Sequence, residues 1–277
     1  MGKRDKNLQK KKRRQERIRQ EKHRRLFLSQ ERPEPPDWED DEWEFTTTPE
    51  ERQEALASYA PPLAQLLSIG EPAAERIDCQ ALGLTREHVP ELIRMATDNR
   101  LHEASSDAPE VYAPLHAWRA LGELRAIEAT KPLLSLLVEW EYDDWTRDDL
   151  PESLGRIGPA ILPELSVFLT EESNGIYARG AAGATIEKVG TLYPEARGDC
   201  VKILADQVGR FVADDATLNG FLLGDLLNLQ AVEALPVIER AFDAGCIDEE
   251  IAGDIENARQ SLLEARRPKE LEAKNDP

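Results

Sequence analysis

From Tyr112 to Val138 the chain reads YAPLHAWRALGELRAIEATKPLLSLLV, and no other stretch restricts the fold as strongly. Leu115, Trp118, Leu121 and Leu124 fall at helical spacing; after a short break, Leu133, Leu134, Leu136 and Leu137 do so again. The pattern predicts a helix, a tight turn and a second helix. Its punctuation returns downstream. Leu121-Gly122 reappears as Leu154-Gly155 and Leu223-Gly224, and Pro132 reappears as Pro163, Pro194 and Pro236, at spacings of 31, 31 and 42. A helical hairpin repeated every 30–45 residues or so predicts an all-α chain in which neighbouring hairpins bury each other's apolar faces, an α-solenoid. No segment alternates with the period of two that marks a strand.

Further hairpins are expected along the chain. Thr48-Pro49-Glu50-Glu51 fits a capping box opening a first helix that Pro61-Pro62 must break and Gly70 can end. A helix follows Thr85. Later pairs fall in 148–170, 176–212 and 217–243, with Asp248 capping a final helix over 249–264. Gly180-Ala181-Ala182-Gly183 lets two helices approach closely. The expectation is about five pairs over 49–265, with Leu121, Leu133, Leu154, Leu165 and Ile186 in the core.

Charge divides the chain more sharply than its net −19 suggests. Residues 1–32 carry 14 Lys/Arg against four acids, whereas the rest carries 21 against 50, a net of −29. The basic arm is densest at Lys10, Lys11, Lys12, Arg13 and Arg14, continuing at Arg17. It has good helix formers but no apolar stripe, so it cannot bury a face by itself. Two readings stay open: the arm grips a polyanion such as RNA, the ribosome, DNA or anionic lipid, or it lies back on its own acidic body. Residues 33–48 form an acidic linker rich in Pro and Trp, with Trp38, Trp43 and Phe45 set among carboxylates. It suits either a docking motif or a strap onto the first hairpin. Residues 266–277 read as a disordered charged tail.

The hairpins resemble HEAT repeats, specifically the short bacterial type called PBS-lyase HEAT-like repeats. The resemblance rests on Ala117–Gly122 (AWRALG), on Leu133–Leu137 after Pro132, on Leu154-Gly155-Arg156-Ile157-Gly158 before Pro163, and on Ala178-Arg179 with Ala181-Ala182. It spans about 50–265. It implies a curved scaffold that binds other proteins and carries no implication of bilin chemistry in these residues. The 42-residue spacing before Pro236 and a loop at 139–149 depart from the usual unit.

Catalytic signatures are missing from the sequence. His88, His102 and His116 stand alone, without HExxH or HxH spacing. GLTREH and GRIGPA lack the Lys-Ser/Thr of a phosphate loop, and no GxSxG occurs. Cys79, Cys200 and Cys246 are widely separated, which fits neither a disulfide framework nor a zinc knuckle and suits a reducing cytoplasm. No cofactor, metal site or membrane span is expected. The candidate site is Glu139–Asp149, EWEYDDWTRDD, where Trp140, Tyr142 and Trp145 alternate with acids including Asp143 and Asp144. Aromatics in an acidic rim suit a basic protein partner; the same tryptophans could plug a groove between hairpins. The expectation is a noncatalytic protein-binding scaffold, with a nucleic-acid- or ribosome-associated protein as the alternative. The body's −29 disfavours phosphate everywhere except at the arm.

Overall fold

The computed structural model describes residues 48–72, 77–105 and 107–264. The basic arm, the linker up to residue 47 and the tail lie outside them. The described residues form two compact units that divide between Leu150 and Pro151. Thirteen α-helices and no strand occur among the described residues.

In the first unit, α1 (Pro49–Ala57) opens with the expected box. Thr48 Oγ1 accepts from the Glu51 amide, and the Glu51 carboxylate accepts from the Thr48 amide at 2.8 Å. After the Pro61-Pro62 break a 3-10 segment covers Leu63–Ser68, and Gly70 takes a positive φ of 76°. Next come α2 (Val89–Ala96), α3 (Asn99–His102), α4 (Ala113–Glu123) and α5 (Thr130–Glu139); α6 (Asp144–Ile157) reaches across the unit boundary. Helix α2 packs on α4 and α5, and α1 packs on α3.

The second unit holds α7 (Leu162–Thr170), α8 (Ile176–Leu192), α9 (Arg197–Val208), α10 (Ala216–Asn228), α11 (Leu235–Asp243), α12 (Glu249–Ala252) and α13 (Ile255–Glu264). Helix α8 packs on α7, α9 and α10. Helices α7, α9, α11 and α13 follow one another in contact. The small residues of α8 permit the expected close approach. A Cβ at Gly180 would come within 2.8 Å of Phe221, and one at Gly183 within 2.6 Å of Leu222 and of Asp225. All five leucine and isoleucine positions expected in the core are fully buried, each worth about 1.5–3 kcal/mol of apolar burial.

One local device recurs. Three-residue 3-10 turns at Arg86–His88, Ile127–Ala129, Pro159–Ile161, Pro194–Ala196 and Val232–Ala234 each run directly into α2, α5, α7, α9 and α11. The last four begin 32, 35 and 38 residues apart. This corrects the register read from proline. Pro194 opens a 3-10 turn, as Pro159 does, whereas Pro163 and Pro236 sit inside the helices that follow. The apparent 42-residue step thus compares unlike positions. Leu223-Gly224 likewise lies one helical turn too early; the residue that occupies Leu121's place before the turn is Leu226. Helices α4 and α10 end identically. The Ala126 amide donates to Leu121 and the Ala231 amide to Leu226, both at 3.0 Å, around Arg125 and Gln230 at φ of 51° and 53°.

An arginine from the preceding 3-10 turn or helix start clamps each of these two ends. Arg86 Nη1 donates to the Leu124 and Arg125 carbonyls, and its Nη2 reaches Glu128. Arg197 donates to the Leu229 and Gln230 carbonyls and reaches Glu233. The exposed ion pairs contribute about 0–1 kcal/mol. The larger effect is to satisfy helix C-terminal carbonyls that have no partner within the helix.

Other differences from expectation have local causes. Helix α9 stops at Val208, short of the expected 212, and Val212 is exposed. The expected final helix is divided, because Asp248 caps only α12 and Gly253 at φ 72° breaks the chain before α13.

Candidate functional site

The expected loop 139–149 is shorter than the sequence suggested. Helix α5 runs to Glu139 and α6 begins at Asp144, which leaves a turn of four residues. The Trp140 amide still donates to Leu136, and the Asp143 amide donates back to the Trp140 carbonyl at 2.9 Å. Asp143 Oδ1 then accepts from the Thr146 amide and hydroxyl at 3.0 and 3.2 Å. Asp143 therefore serves as the cap of α6. Asp144 is exposed in its first turn, where a negative charge is favoured by the helix dipole. Trp140, Tyr142 and Trp145 are all half-buried.

The two tryptophans have different supports. Trp140 stacks on His102, with ring centroids 5.1 Å apart and planes at 20°. His102 in turn lies 6.3 Å from Trp118, and its Nε2 donates to the Ala96 carbonyl at 2.8 Å. Trp118 is buried and donates from Nε1 to Asp149 Oδ1 at 2.8 Å, while Arg119 holds both oxygens of the same carboxylate. Trp145 instead meets Tyr112 edge to face at 6.3 Å. A layer of Trp118, His102, Arg119 and Asp149 thus fixes the floor beneath the aromatic edge. Helices α3, α4 and α6 supply that layer.

Sequence reading missed this floor. His102 and His116 are buried; His116 Nε2 donates to the Gly70 carbonyl, and burial lowers its pKa below the ordinary histidine value. His88 caps its own 3-10 turn, its Nδ1 accepting from the Thr85 amide at 3.0 Å. The signal for the floor was weak, because His102 lies 16 residues before Trp118 and Asp149 lies 31 residues after it, and no helical period links them.

No protein-family model matches the chain, and neither the search of curated proteins nor that of solved structures returned a match. Among the described residues no group of three or more His, Cys, Asp or Glu is placed to hold a metal ion. No helix there is long and apolar enough to cross a membrane. All three cysteines are free, and burial pushes the Cys79 and Cys200 thiols up to about 11 and about 12, far from the thiolate needed for nucleophilic work. Lys10, Lys11, Lys12, Arg13, Arg14 and Arg17 lie outside the described residues.

Proposed function

We propose that this chain is a noncatalytic, cytoplasmic protein-binding scaffold whose HEAT-like hairpins stack as an α-solenoid. The observation that carries the reading is the half-buried aromatic edge Trp140–Tyr142–Trp145 at the α5–α6 turn, beside the exposed Asp144, with Trp140 stacked on the His102 layer and Trp145 against Tyr112. Large aromatics held at fixed rotamers anchor partners at low entropic cost. The acids around them steer a partner with a basic surface. The five 3-10 turns that lead into helices, and the two arginine clamps, support a repeated unit.

A second role belongs to the arm. Its 14 basic residues beside an acidic body suit a polyanion grip through Lys10–Arg14 and Arg17, and so a link to nucleic acid or the ribosome. Deleting residues 1–32 separates the two roles. The truncated chain should retain the proteins captured by the full chain and lose binding to a duplex RNA probe. Loss of both, or retention of RNA by the truncation, would overturn this division of labour.

A further inference from the structure

Asp225 is a carboxyl in the wrong place for an ordinary surface-loving residue. It lies in the last turn of α10, buried, on the side where α10 presses on α8. Its Oδ2 has no hydrogen-bond partner. Glycine at 183 makes room for it; a Cβ there would stand 2.6 Å from that same oxygen.

No cation offsets it. Each cation on the helices packed against α10 is committed elsewhere: Arg179 to Asp214, Lys188 to Glu152, Arg197 to Glu233, Lys202 to Asp206 and Arg259 to Glu239 and Glu256. The charge that does act on Asp225 is an anion, Glu187, one helical turn beyond Gly183 on α8. Of the other acids on adjoining helices, Asp199 of α9 acts on the buried Cys200 thiol, and Glu249 and Glu250 of α12 face solvent.

We propose that Asp225 is a proton-operated latch between α8 and α10: as a carboxylic acid it seals the seam, and as a carboxylate it opens it. A buried, unpaired carboxylate is far costlier than the neutral acid. Burial first, then Glu187, raises the pKa of Asp225 well above the ordinary carboxylate value in the closed state. When α8 and α10 separate, water reaches the group and it ionises at its ordinary value. Its contribution to closure is therefore complete below about pH 4 and declines as pH rises toward the closed-state pKa. Across that window the opening equilibrium grows up to about tenfold per pH unit.

The test uses the full chain. Hydrogen exchange is followed at amides of 183–189 and 222–229 between pH 5 and 8, with the base-catalysed intrinsic rate removed. In the native protein the opening equilibrium should rise by up to about tenfold per pH unit for as long as Asp225 stays protonated in the closed state. Asp225→Asn, which mimics the neutral acid, should abolish the slope. Glu187→Gln should make the native slope level off at lower pH. The carboxyl group of Asp225, read through its carboxyl-carbon shift by NMR in the unaltered protein, should still be protonated at pH 5, above the ordinary carboxylate range; this readout stands even if a variant does not fold. A flat native profile, parallel profiles for native and Asp225→Asn, or an Asp225 already ionised at pH 5 would overturn the latch.

Discussion

Arg179 and Asp214 form the most buried ion pair among the described residues, with side chains 5% and 0% exposed. Arg179 Nε also donates to the Leu169 carbonyl, and Gln207 donates to the second Asp214 oxygen at 2.6 Å. Removing one partner strands the other charge without water. Asp214→Ala should therefore cost about 3–5 kcal/mol in denaturant unfolding. A loss under about 1 kcal/mol would show that the pair is not buried as described. Sequence pointed to Arg179 only as part of the HEAT-like resemblance. Asp214 was invisible, because its role depends on a turn that brings position 214 back over the start of α8. The candidate site divides the same way. Trp140 and Trp145 stood out by size in an acidic run, whereas Asp143 looked like one more rim acid and is a helix cap.

Helix ends make the clearest element-scale test. Gln230 occupies left-handed backbone at φ 53°, which costs a residue with a side chain about 1–2 kcal/mol. Gln230→Gly relieves that cost and gives back part of it as unfolded-chain entropy. The expected result is a gain of up to about 1 kcal/mol, read by thermal unfolding. Gly158→Ala should do the reverse, since φ is 109° there and the new Cβ would meet the Tyr193 ring at 3.3 Å. A loss on Gln230→Gly, or a neutral Gly158→Ala, would count against this reading of the turns. Helix identity and core stripes were legible because a 3.6-residue period survives local irregularity. Register was not. Proline fits both the first position of a 3-10 turn and the second position of the following helix, so Pro163 and Pro194 looked alike while occupying different places.

At the scale of the whole molecule, charge and binding can be separated by experiment. If the arm neutralises about five phosphates of duplex RNA, log affinity should fall with log salt at a slope near −4 to −5. A slope near zero would mean that the arm does not grip phosphate. The scaffold reading is tested most directly at Trp145, whose ring rests edge-on against Tyr112 rather than in the buried floor under Trp140. Proteins captured by immobilised full-length chain are quantified beside Trp145→Ala, together with the melting temperature of each. The expected result is a loss of retention of about 30-fold, corresponding to an anchor worth about 2 kcal/mol, with a melting temperature changed by no more than about 2 °C. Undiminished retention, or a melting temperature lowered by about 8 °C or more, would contradict a binding edge at the α5–α6 turn.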